Sequence, residues 1–198
     1  MTLATPKDKL LSAVVEVALG GGMTGMSLRA IADAAGTSHR MLIHHFGSRE
    51  GLLVEVTRAV EERQRAVLNE LSATADGASA DLAGQFWRHL RSPGLAPQER
   101  LFFELYGQAL QGRPWARSLL DGVVDDWTAP VAGMLEAAGA GPADARAAAR
   151  LSLAVTRGLL LDVLATGDTD GTDAAMRYFT DMLLSRLAAP AGGGEPAA

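Results

Sequence analysis

His39, Arg40, Ile43 and His44 fall on successive turns of a short segment that opens on Ser38 and closes on Phe46-Gly47. On a helix these side chains share an outward face, while Met41, Leu42 and Phe46 turn inward. The chemistry such a face offers is hydrogen bonding to nucleic acid. An arginine fork matches guanine O6 and N7 in the major groove, and histidine can donate to or accept from a base edge or a phosphate. Ser27 and Ser38 each offer a hydroxyl at a helix start, where unpaired backbone N–H groups attract phosphate. Arg49 opens the following helix, where the dipole disfavours a cation, so phosphate contact is the better reason for it. The pair His44-His45 invites a metal reading, but adjacent helical residues diverge by about 100°. No partner follows four residues on, and the chain has no cysteine. No metal is expected, and no cofactor. Acid–base chemistry finds no better support: Asp125 and Asp126 are adjacent and diverge on a helix, and no activated nucleophile is evident, so no enzyme is expected.

These residues need a frame, and the chain reads as helix almost throughout. Apolar residues recur at helical spacing, and the alternation of a strand is absent. The first helix opens at Pro6, sets Leu10, Val14 and Val17 on one face, and closes at Gly20-Gly21-Gly22. A second runs from its cap Ser27 to about Ala35, and Gly36 breaks it. The third follows Ser38, and a longer fourth runs from Ser48 towards Leu71. Further helices are expected over Asp81–Arg91, Pro97–Gln111, a stretch from the Gly112-Arg113-Pro114 break to about Ala138, Pro142–Thr166 and Thr172–Ala188. Residues 191–198 are Gly/Pro/Ala-rich and expected to be disordered.

The 198-residue chain has a formal net charge of −5, which taken alone disfavours a nucleic-acid partner. The average hides an asymmetry. Up to Val60, six basic residues stand against five acidic ones, so the remainder carries about −6. That split suits an N-terminal part that touches phosphate. No run of about 18 uncharged apolar residues exists to span a membrane. No signal-peptide core follows Met1–Lys9, and cytoplasmic location is expected.

The segment Ser27–Phe46, two short helices around Gly36, has the spacing of a helix-turn-helix. With its flanks it resembles the DNA-binding domain of TetR-family bacterial regulators. The match runs without gaps through Gly22, Ser27, Ile31, Ala32, Ala35, Gly36, Ser38, Leu42, His45, Phe46, Ser48 and Leu52, and covers about residues 7–65. Ile43 stands where the family usually has a tyrosine that reaches phosphate, Arg49 replaces lysine, Thr37 replaces valine, and Ala18 replaces a common phenylalanine. The resemblance implies an all-α fold: a three-helix DNA-binding domain over residues 1–65, and a helical ligand-binding and dimerisation domain over 66–190. The candidate DNA contacts are Ser27, Arg29, Thr37, Ser38, His39, Arg40, Ile43, His44, His45 and Arg49.

Farther along, Phe86, Trp87, Phe102, Phe103, Tyr106, Trp115 and Trp127 are either plain core or the lining of a small-molecule cavity. Arg157 and Asp162 interrupt the apolar run Leu151–Leu164 and are expected to be buried, with Arg157 a candidate ligand contact. The apolar residues of the last two helices exceed what one neighbour needs, and the resemblance implies a four-helix homodimer interface. The expected function is ligand-responsive transcriptional control. The partners would be double-stranded operator DNA, a second subunit and a small apolar or amphipathic effector. The alternative is a helical ligand-binding or interaction module whose helix-turn-helix has lost DNA.

Overall fold

A computed structural model describes residues 5–21, 23, 25–74 and 79–188. Gly22, in the motif, and the tail 191–198 lie outside the described residues. Among the described residues nine α-helices follow one another: α1 Pro6–Gly21, α2 Leu28–Ala34, α3 His39–Phe46, α4 Arg49–Thr74, α5 Ala80–Leu90, α6 Ala96–Leu110, α7 Asp125–Ala137, α8 Pro142–Thr166 and α9 Thr169–Ala188. A 3-10 turn, Arg117–Leu120, precedes α7, and no strand occurs among the described residues. The fold is all-α, as expected. The chain forms two compact units. One comprises residues 1–67 and 90–123; the other comprises 68–89 and 124–198.

The first unit is organised by what its small helices bury. Val14, Val15 and Ala18 of α1, Ile31 and Ala32 of α2, Leu42 and Phe46 of α3, and Leu52, Leu53 and Val56 of α4 form one core with Leu101 and Leu105 of α6. α2 and α3, of seven and eight residues, are too short to be stable alone in water, so this shared core is what keeps them helical. Polar ties brace it at the rim. Lys7 bonds Glu55 at 3.3 Å and lies 5.6 Å from the Phe46 ring centroid, and Arg63 pairs with Glu16 at 2.9 Å. Arg58 donates to the Ser118 carbonyl and pairs with Asp121 at 3.7 Å.

The stretch expected to be helical up to Ala138 is interrupted. After the 3-10 turn the chain bends at Asp121-Gly122, with Gly122 at φ 72°, and α7 starts only at Asp125. A left-handed residue cannot continue a right-handed helix, and glycine takes that conformation without a side-chain clash.

In the second unit, α7, α8 and α9 pack together through Ala132, Leu135, Ala145, Ala148 and Ala149, with Leu183 and Leu187 against them. α9 begins three residues before the expected Thr172, because Asp168 accepts from the Gly171 N–H at 2.8 Å and caps the helix there. Trp87 Nε1 donates to Asp173 at 2.7 Å and ties α5 to α9. Asp162 is exposed and Arg157 half-buried, so the expectation that both are buried is corrected. Asp162 lies on the outward face of α8, next to exposed Leu161.

Two stability predictions follow from this packing. A Cβ on Gly51 would collide with the Phe46 carbonyl oxygen. Gly→Ala inside a helix ordinarily stabilises by about 1 kcal/mol. Gly51→Ala should instead destabilise by about 1–3 kcal/mol, read as a lower urea midpoint; a raised midpoint would show that α3 and α4 are not held this closely. His89 stacks on Phe86 with centroids 6.3 Å apart, and burial holds its pKa below the ordinary 6.5. The unfolded chain therefore binds this proton more readily than the folded one, and stability falls as pH drops below about 6.5. Melting temperatures between roughly pH 7 and pH 5 should decline less steeply in His89→Gln than in the unaltered chain.

Candidate nucleic-acid interface

Each short helix starts on a serine that caps it. Ser27 Oγ accepts from the Ala30 N–H and Ser38 Oγ from the Met41 N–H, both at 3.2 Å. Each hydroxyl thus uses a lone pair internally and keeps its O–H for a donor bond outward. Between them Gly36 takes φ 65°, with its N–H on the Asp33 carbonyl at 3.2 Å, and the Thr37 N–H reaches the Ala32 carbonyl at 2.9 Å. That closure satisfies the last carbonyls of α2 and turns the chain into α3. The arrangement is a helix-turn-helix.

α3 is sharply two-sided. Leu42 and Phe46, one turn apart, are buried, whereas His39, Arg40, Ile43 and His44 are exposed. Met41 was expected inward but is 41% exposed. It lies about 100° from Leu42, beyond the strip that α2 and α4 cover. The sequence singles it out only as apolar, and in the structure it joins the outward face. His45 is half-buried, edge-on to His44 at 4.9 Å and to Phe46 at 6.4 Å. It sits at the edge of the outward face rather than on it. No group of three or more metal-ligating side chains occurs among the described residues.

The other candidates spread around this face. Arg29 is exposed on α2, and Thr37 is half-buried in the turn. Arg49 Nε donates to the Met26 carbonyl at 3.0 Å and so braces the strand of chain that enters α2. That bond supplies an internal reason for a cation at this helix start. The guanidinium has further N–H donors besides Nε.

Residues 10–56 match the family described as bacterial regulatory proteins, tetR family. The N-terminal part of the chain is a TetR-type helix-turn-helix domain. A 28-residue segment is 68% identical to the HTH-type transcriptional regulatory protein RaaS of Mycobacterium tuberculosis, covering 14% of this chain and 13% of that protein. The fold extends the likeness to the whole length. A transcriptional regulator from Rhodococcus sp. Rha1 superposes with a TM-score of 0.72 at 20% identity, over 94% of this chain and 100% of that one. A regulator from Saccharomonospora viridis, solved in complex with choline, gives 0.65 at 22% identity, over 90% and 95%. At such identities the structures share a fold and no more. No helix among the described residues is long and apolar enough to cross a membrane.

The candidate ligand residues divide between the two compact units. Phe86, Trp87 and Trp127 belong to one, where Phe86 and Trp127 lie 5.9 Å apart. Phe102, Phe103, Tyr106 and Trp115 belong to the other, where Phe102 stacks on Tyr106 at 5.4 Å and meets Phe103 edge-on at 5.3 Å. Trp87, Phe102 and Trp127 are buried, Phe86, Phe103 and Tyr106 half-buried, and Trp115 exposed. Sequence reasoning missed a buried polar group in the first unit: Thr57 and Gln64 on α4, and Gln98 and Glu99 on α6. Nothing in the helical periodicity separates these four from solvated residues.

Proposed function

We propose that the chain is a cytoplasmic, homodimeric repressor that binds operator DNA through α3 and releases it when a small molecule binds. The observation that carries this reading is the outward face of α3. Arg40 is exposed there with no ion pair among the described residues, beside His39 and His44. Ile43, 39% exposed, is unfavourable in water but suits the thymine methyl that the major groove presents. It would replace the family's tyrosine–phosphate bond with an apolar base contact. Ser27, Arg29, Thr37, Ser38, His45 and Arg49 would hold the flanking phosphates, which position the protein without reading sequence. In this division of labour residues 1–65 read DNA, and residues 66–190 supply dimerisation and the greater part of the effector response.

The dimer is supported by two stripes. On α8, exposed Leu151, Ala154, Gly158, Leu161 and Ala165 recur at alternating three- and four-residue steps. On α9, exposed Ala175, Tyr178 and Met182 do the same. Leu161 is 53% and Tyr178 74% exposed. Apolar residues at this spacing form a helix-packing seam, and two such helices per subunit make a four-helix interface related by a two-fold axis. That a regulator of the same fold holds choline supports a small-molecule effector.

Fluorescence anisotropy on DNA from upstream of the protein's own gene should show binding that weakens steeply with salt. Arg40→Ala should weaken it by about ten- to a hundredfold. Indifference to both changes, with genome-wide selection recovering no site, would favour the module that has lost DNA. Leu161→Glu, which puts a charge at the centre of the seam, should halve the mass seen by analytical ultracentrifugation while leaving helicity intact. An unchanged mass would place the interface elsewhere.

A further inference from the structure

Residues of α4 and α6 line a cavity of about 10 Å³, room for one water-sized group. Its walls are partly apolar, Phe102 among them, but its polar lining is unusual. Thr57, Gln64, Gln98 and Glu99 are each more than nine-tenths buried. Gln64 Nε2 donates to Glu99 Oε1 at 2.7 Å. Gln98 Nε2 donates to the Ala18 carbonyl on α1. A carbonyl can only accept, so this bond fixes which end of the Gln98 amide is which. Gln98 Oε1 and Thr57 Oγ1 are then sealed from solvent, and no protein group hydrogen-bonds to either. Buried acceptors of this kind are rare and call for an explanation.

The charge of the lining narrows what fits. Two acidic residues, Glu61 and Glu99, are among its lining residues, and no basic residue is. Glu61 is the one lining residue that is not buried, which puts the entrance on its side. We propose that the cavity seats the N–H-bearing head of a small organic ammonium ion. Thr57 Oγ1 and Gln98 Oε1 accept its hydrogen bonds, and its carbon chain leaves past Glu61. The proposal rests on the ligand-responsive reading above and names the chemistry of the ligand. It also gives the ligand a route to DNA. The amide that would bind the ammonium at Oε1 holds α1 at Nε2, and α1 packs on α2 in the shared core. A bound head group would change the bond that anchors α1 without touching the reading helix.

The test uses the full chain with methylammonium, n-butylammonium and tetramethylammonium as probes, followed by thermal shift and titration calorimetry. The first two should bind and raise the melting temperature. Tetramethylammonium carries the same charge but has no N–H to donate and should do neither. Thr57→Val keeps the shape and removes an acceptor, so it should weaken butylammonium binding about tenfold in a fully folded protein. Gln98→Met should weaken it similarly, with a circular-dichroism melt confirming that α1 remains in place. Equal binding of all three cations, binding undiminished in Thr57→Val, or a crystal grown with methylammonium in which water keeps the cavity would each overturn the proposal. DNA anisotropy on the same preparations separates the two ideas. Operator binding without ammonium binding defeats this site alone, and ammonium binding without any operator defeats the regulator.

Discussion

The close approach of α4 to the end of α3 is the constraint on which the reading head depends. Gly51 brings its Cα against the Phe46 carbonyl, and its N–H closes the cap on Ser48 Oγ at 3.0 Å. Phe46 is thereby held between α4 and the Lys7 side chain of α1. Leu42, one turn earlier, has to face the same core. Once those two residues are fixed, the phase of an eight-residue helix is fixed, and Arg40 and Ile43 have nowhere to point but outward. The composition of the outward face is therefore set by residues buried beneath it. A helix this short has too little intrinsic stability to choose its own orientation.

The parts of this frame that were legible in the sequence are those written in local chemistry. Ser27, Ser38, Pro6, Pro142 and Gly36 each do one thing at one place, and the helices begin or end where these residues put them. Asp168 was as good a cap as either serine, but Thr172 lay inside a plausible periodic run and drew the boundary to itself. The break at Asp121-Gly122 was harder to see. A single glycine in a stretch of apolar residues is compatible with a continuing helix, and only the tertiary fold requires its positive φ. Met41 failed for a different reason. Periodicity gives the direction of a buried stripe but not its width, and on α3 the stripe is narrow.

The candidate site divides the same way. The outward set on α3 follows from phase and could be named in advance. What Arg49 does could not: its bond to the Met26 carbonyl joins residues far apart in sequence, and such pairings leave no local trace. The same holds for Gln64 with Glu99 and for Gln98 with Ala18. Glutamine and glutamate on an amphipathic helix are ordinarily solvated, so burial of these three was invisible until α4, α6 and α1 were assembled.

Under the proposed function, this polar group bears on how a ligand could act on the helix-turn-helix. A wholly apolar contact between α6 and α1 would have many nearly equivalent packings, since dispersion is non-directional and only volume is conserved. A hydrogen bond from a buried amide to one carbonyl has a single good geometry and a substantial cost when broken without replacement. Coupling needs an element with discrete alternatives rather than a continuous one. Gln98 supplies such an element. Its amide is held at one end and open at the other, between the helix that lines the cavity and the helix that supports the reading head.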